Sequence, residues 1–149
     1  MSRFCDRFEC RLIGVDDPLY PGELALRFRV LREPLGHNFA SVRFAFEDDS
    51  YHMVAVDRGK VFGCVLFHPD GAGGGRLFQM AIDDMLQGQG LGAHLVDLLE
   101  DALEADGLRR IELHARDQAV GFYERLGYRC VGEPFEEVGI AHRRMEKDL

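Results

Sequence analysis

Apolar positions recur at helical spacing in one stretch above all others. Leu91, Leu95, Leu98, Leu99, Ala102 and Leu103 mark one face of an amphipathic helix. Gly107 stands where a helix C-terminal glycine belongs. Elsewhere the pattern is mostly strand-like. Residues 9–15 read as a first strand. Leu24, Leu26, Phe28, Val30 and Leu31 follow Pro18 and Pro21, which predicts a short helix over about 18–32, stopped by Pro34 and Gly36. Residues 47–50 form a polar turn, and strands at 51–56 and 60–67 join through Asp57-Arg58-Gly59 as a hairpin. A glycine-rich loop at 69–75 leads into a strand at 76–82. Residues 109–114 alternate at Ile111 and Leu113; Asp117 is placed to cap a helix to Leu126, which Gly127 ends. Strands at 128–131 and 138–145 close the chain. The order β-α-β-β-β-α-β-α-β-β predicts a mixed α/β sandwich around one central sheet, not an alternating doubly wound fold.

Length and charge narrow this picture. A chain of 149 residues is one domain by the usual prior. The formal charge of −8 repels phosphate backbones, so no nucleic-acid partner is expected. No apolar run approaches a membrane span, and Asp6 and Glu9 stand where a signal core would lie. No membrane partner and a cytoplasmic location are expected. Cys5, Cys10, Cys64 and Cys130 form no CxxC pair, so reduced thiols are the plain reading, with Cys64 a small core residue. Ser2, Ser41 and Ser50 sit in no G-x-S-x-G elbow, and six histidines show no ligand spacing, so no metal is expected. Asp83-Asp84 reads as a turn.

The sharpest local signal is Gln87-Gly88-Gln89-Gly90-Leu91-Gly92, between a strand and the strongest helix. Glycines let backbone N–H groups approach a ligand, and the helix N-terminus favours an anion there. A pyrophosphate suits both. The Walker pattern is absent. Gly88-x-Gly90-x-x-Ala93 fits the loose dinucleotide fingerprint, with Glu112 near the distance of a ribose acid. Its place halfway along the chain, with one further helix behind it, argues against that use. A connection without any ligand is the plain alternative.

Gln87-x-x-Gly90-x-Gly92 resembles the Q/R-x-x-G-x-G/A signature of the GCN5-related N-acetyltransferase (GNAT) superfamily. Gln79-Met80-Ala81-Ile82-Asp83 is similar to that family's fourth strand, and residues 119–128 resemble its A-x-x-F-Y-x-x-x-G-F motif. The likeness is strongest over residues 76–131, and the segment 132–147 resembles one branch of the superfamily. It implies a single-domain acyl-CoA N-acyltransferase fold over residues 1–149, its mixed sheet splayed between the fourth and fifth strands and flanked by helices. Acetyl-CoA is the implied co-substrate. Met80, Ala81 and Ile82 would pair with its pantetheine arm like an added strand. Their N–H groups would polarise the thioester carbonyl. Gln87, Gly88, Gln89, Gly90, Leu91, Gly92 and Ala93 would cradle the pyrophosphate.

Tyr123 matches the family's tyrosine that protonates the leaving thiolate, against the plainer reading of a core aromatic beside Phe122. Many members carry Asn seven residues earlier, where this chain has Arg116, so that contact does not carry over. Arg32, Glu137 and His142 are acceptor-side candidates, and His142 has the better intrinsic pKa for a base. Solvated strand-edge charges are the bland alternative for Glu137 and His142. The implied reaction is acetyl transfer to a primary amine by direct attack in a ternary complex. Two competing readings stand: a non-catalytic acyl-CoA-binding regulatory module, and a dinucleotide-dependent enzyme. Polyamines, aminoglycosides, amino acids and peptide N-termini all fit as acceptors, and the acidic charge leans toward a cationic small molecule. A homodimer is left open.

Overall fold

The computed structural model describes residues 7–39 and 42–149, so the readings of Ser2, Cys5 and Ser41 fall outside it. Seven strands build one sheet: β1 (Glu9–Ile13), β2 (Tyr51–Asp57), β3 (Lys60–Pro69), β4 (Gly74–Ile82), β5 (Arg110–Arg116), β6 (Arg129–Glu137) and β7 (Ile140–Asp148). Among the described residues, three α-helices flank it: α1 (Tyr20–Arg27), α2 (Leu91–Ala105) and α3 (Val120–Arg125). The strand order is β1-β2-β3-β4-β5-β7-β6. Every neighbouring pair is antiparallel except β4 and β5.

The sheet is buried on both faces at its centre, which is why residues 61–67 are a nearly unbroken apolar run. Strand periodicity divides them. Val61, Cys64 and Leu66 join Val54, Val56, Tyr20 and Leu26 on the α1 side. Val65 and Phe67 join Met53, Ala55 and the α2 residues Leu91, Leu95, Leu99 and Leu103 on the other. Those four leucines are at most 1% exposed. Fully burying each contributes about 1.5–3 kcal/mol. Among the described residues, Cys10, Cys64 and Cys130 are free thiols.

Several predicted boundaries shift. The first strand ends at Ile13 rather than at 15. The predicted helix over 18–32 is α only to Arg27; Phe28–Arg32 widens into a π turn and Glu33–Leu35 tightens into a 3-10 turn before Gly36. Asp117 caps nothing through its side chain: Asp117–Ala119 is a 3-10 turn that leads into α3. The last two strands are longer than predicted, and Val138, expected to begin the final one, lies in their turn with φ of 50°. Glu47 opens a 3-10 turn as expected, yet it is wholly buried rather than a solvated turn residue. Asp83 acts as a turn residue and accepts from the Met85 N–H at 3.1 Å.

Candidate active site

The site begins where the sheet comes apart. β4 and β5 pair only at Gly74–Arg110, Gly75–Ile111 and Arg76–Glu112. On the other side of β4, close approach to β3 requires glycine: a Cβ on Gly75 would lie 2.3 Å from the His68 carbonyl oxygen. Beyond Arg76 the strands diverge, because β5 stays paired with β7 through Arg116 while β4 bends away. The bend has a local cause. The β3 register runs from Cys64↔Ala81 to Leu66↔Phe78, so Gln79 and Met80 both stand opposite Val65. Gln79 has φ of 54°. This is a β-bulge, which bends and twists the strand that carries it. From Leu77 to Ile82, β4 therefore has no strand partner on its β5 side among the described residues.

Two cavities open along the split. The first, of about 430 Å³, is lined by Met80, Ile82, Leu86, Gln87, Gly88 and Gly90 through Ala93, with Ala119, Phe122, Tyr123 and Arg125. Its floor is the start of α2. Gly90 holds the N-cap position with φ of 92°, a left-handed conformation that a side chain would strain. No side chain caps this helix and its first turn holds no acid. The end is thus open to an anion. The Gln87 amide donates to the Ile82 carbonyl at 3.0 Å and to Asp84 at 3.1 Å, tying the loop to the end of β4. Arg125 has no carboxylate partner among the described residues.

The second cavity, of about 330 Å³, faces the other way along the split. Arg32, Arg76, Gln79, His114, Arg116, Glu137 and His142 line it with apolar neighbours. His142 is buried, and its ring Nδ1 lies 2.7 Å from the Ile140 carbonyl oxygen. A carbonyl only accepts, so Nδ1 carries the proton and Nε2 of the neutral ring keeps its lone pair. Nε2 lies 3.6 Å from Glu137 Oε2. His114 Nδ1 is 3.1 Å from Glu137 Oε1, and Arg76 is 3.8 Å from that oxygen. Partial burial works to raise the Glu137 pKa, but the His114 hydrogen bond and the neighbouring charges outweigh it and hold the carboxyl below its ordinary value.

Met80, Ala119 and Tyr123 belong to both cavities. Tyr123 is 7% exposed, and burial alone pushes its phenol up to about 12. It therefore stays protonated at neutral pH, as a proton donor must. Its ring packs edge-on against Phe122 and Tyr128. Tyr128 in turn donates to Glu100 at 2.7 Å, and Lys147 donates to the same carboxylate at 2.8 Å and to the Leu126 carbonyl at 2.7 Å. These contacts join α2, the end of α3 and β7, and so fix where Tyr123 stands.

A buried ionic network joins α1 to β2 and to the turn before it. Arg27 donates to Glu23 at 2.8 Å, to both oxygens of Glu47 at 2.7 Å, and to the Val42 carbonyl at 2.7 Å. Tyr20 donates to Glu47 at 2.6 Å. His52 Nε2 lies 2.9 Å from the Glu47 carbonyl oxygen, while Nδ1 is 2.9 Å from Glu23. Both ring nitrogens thus face acceptors, which favours the doubly protonated ring. Burial opposes that charge, but Glu23 outweighs it and the His52 pKa is raised. Glu23, Glu47 and His52 bring ligating atoms within 4.8 Å of one another, yet the Arg27 guanidinium already bonds both carboxylates.

The structure brings most of the expected residues together. Met80, Ile82, Gln87, Gly88, Gly90, Leu91, Gly92 and Ala93 line the first cavity, and Arg32, Glu137 and His142 line the second. Two expected binding residues line neither. Ala81 is 1% exposed with its side chain in the α1-side core. The Gln89 amide turns back to the Met85 carbonyl at 3.1 Å. Arg116, which stands where many family members carry Asn, lines the second cavity, not the one beside the glycines. Sequence reasoning missed Arg76, His114 and Arg125. The alternation of β5 held a signal for one of them: Ile111, Leu113 and Ala115 point into the core, so His114 shares the opposite face with Arg116.

The acetyltransferase (GNAT) domain family matches residues 30–149. The N-acetyltransferase YjcF of Bacillus subtilis (strain 168), itself uncharacterized, is 33% identical over 103 residues, 68% of this chain and 73% of that one. The chain spans about half of another relative from that organism, the protein BSU40680, at 41% identity over 73 residues, 49% of this chain and 50% of that one. Among solved structures, an acyl-CoA N-acyltransferase from Pseudomonas aeruginosa superposes with a TM-score of 0.80 at 21% identity, covering 94% of this chain and 99% of that one. An aminoglycoside 6'-N-acetyltransferase in complex with coenzyme A superposes with a TM-score of 0.78 at 18% identity, covering 94% and 96%.

Proposed function

Because the chain belongs to the acetyltransferase (GNAT) family, we propose that it transfers an acetyl group from acetyl-CoA to a primary amine by direct attack in a ternary complex. The observation that carries this reading is the meeting of two cavities at Tyr123 and Met80. A donor in one and an acceptor in the other would touch only there.

The first cavity suits acetyl-CoA. The uncapped start of α2 offers N–H groups to a pyrophosphate, and Arg125 adds a cation. Met80, Ile82, Leu86, Leu91 and Phe122 supply an apolar wall for the pantetheine arm. The unpaired edge of β4 offers backbone partners of the kind an added strand uses. Backbone N–H groups at the bulge are candidates to polarise the thioester carbonyl.

On the other side, His142 Nε2 accepts a proton from the acceptor's ammonium, with Glu137 beside it. The amine lone pair attacks the thioester carbon. The C–S bond then breaks, and the Tyr123 hydroxyl gives its proton to the departing thiolate. The new amide nitrogen sheds its second proton to restore the tyrosine, so one proton leaves per turnover. The product is an N-acetylated amine and free CoA.

Calorimetric titration with acetyl-CoA, CoA and NADH, followed by thiol release on an amine panel, tests this. Saturable binding of acetyl-CoA with thiol release is expected. Binding without release on any amine favours a binding module, and NADH binding in place of CoA overturns the reading.

A further inference from the structure

The chain carries more acids than bases, 26 against 18, so an arginine without an acidic partner is informative. Arg7, Arg11, Arg27, Arg29, Arg43, Arg110, Arg129 and Arg144 all pair with carboxylates. Arg32, Arg58, Arg109, Arg116, Arg125 and Arg143 do not, among the described residues, and of these six Arg32 and Arg116 line the cavity that holds His142. Arg32 lies over the Phe44 ring at 5.4 Å, and its buried Nε has no hydrogen-bond partner. Leaving such a donor unpaired is costly unless a ligand completes it. With Arg76, three guanidinium groups line this cavity against one carboxylate, Glu137. The local charge is therefore opposite in sign to the −8 of the whole chain. For a ligand in contact with these groups the local sign decides, because charges farther than about 8–10 Å away are screened by salt.

The opposite chemistry lies alongside, because Arg116 and His142 are paired across β5 and β7. Glu137 Oε2 and the lone pair of His142 Nε2 are two acceptors 3.6 Å apart. An ammonium can donate to both. One cavity thus holds an acceptor pair for a cationic nitrogen and two unpaired guanidinium groups for an anion.

Resting on the acetyl-transfer reading above, we infer that the acceptor is a small amine that also carries a carboxylate. Its nitrogen sits between Glu137 and His142, and its anionic end meets Arg32 and Arg116. The guanidinium fork matches a carboxylate in both shape and charge. A volume of about 330 Å³ accommodates a single small molecule. Polyamines would bring two or more cations to a cavity already carrying three.

The test compares free L-amino acids and β-alanine with their C-terminal amides, and with spermidine, in a thiol-release assay on the full chain. Acetyl-CoA binding is measured separately by calorimetry. Acids are expected to exceed their amides at least tenfold in kcat/KM. Arg116→Gln and Arg32→Gln should each raise the acceptor KM of the acid and narrow the acid-to-amide ratio, while the Kd for acetyl-CoA stays unchanged. Equal rates for acid and amide, a preference for spermidine, or no acid acetylated by a protein that binds acetyl-CoA each overturns the inference. A protein that binds no acetyl-CoA fails the underlying reading instead. The acid-to-amide comparison uses the unaltered protein, so it stands even where a substitution disturbs folding.

Discussion

The two cavities are built by different means. The proposed donor side is made largely of backbone and apolar surface from Gln87, Gly88 and Gly90 through Ala93, together with the β4 edge. The acceptor side is made of charged side chains delivered by the π turn, by β4 and β5, and by the last two strands and their turn. Under the proposed function, backbone N–H groups would read what every acyl-CoA shares, and side chains from scattered elements would read what differs between acceptors. The contrast teaches that one half of such a site can be held constant while the other is free to change, because no residue of the glycine stretch lies in the acceptor wall.

That division can be broken from either side. The largest effect is expected from Arg27→Met, which leaves Glu47 buried without its cation and Glu23 with His52 alone. Loss of one partner from such a network costs about 3–5 kcal/mol, readable as a lower urea midpoint. Next, Gly90→Glu places a carboxylate on a left-handed residue at the uncapped start of α2. Strain and charge together should weaken acetyl-CoA by about 100-fold or more in calorimetry, with the fold retained by circular dichroism. Tyr123→Phe keeps the ring packing and removes the proposed proton donor. A fall of about 100-fold in kcat is expected at unchanged acetyl-CoA affinity, and unchanged kcat would remove the tyrosine from the chemistry.

The smallest effect is on stability against pH. The folded-state pKa of His52 is raised, so its contribution is complete below the ordinary histidine value of about 6.5. That contribution is lost as pH rises through the folded value. Glu47 behaves in the opposite sense. Burial tends to raise it, but hydrogen bonds from Arg27 and Tyr20 prevail and lower its pKa, so its contribution is lost only in acid. Thermal midpoints should therefore decline on both sides of the near-neutral range, and His52→Gln should flatten the alkaline side.

The same division explains what could be read from the sequence. The element order, the long helix and the glycine stretch were legible because each depends on neighbours in the chain. The motif around Tyr123 singled it out, and the structure sets it where the two cavities meet. The bulge at Gln79 was not, because register is a property of two strands and β3 shows no sign of it in its own pattern. Nor was the burial of Glu47 and His52, which looks unfavourable until Arg27 and Glu23 arrive from another element. Arg76 and His114 look like ordinary strand residues until the split sheet turns them toward Glu137.

Tyr123 and Met80 form a partition between two chambers rather than the wall of one. A single molecule that passes this partition, CoA joined through its sulfur to an amino acid's nitrogen by a short acyl bridge, would occupy both chambers at once. It would lose its translational freedom only once, and its affinity should approach the product of the two separate affinities scaled by their effective concentration. Such a conjugate would hold the splayed strands and both sets of side chains in a single closed arrangement.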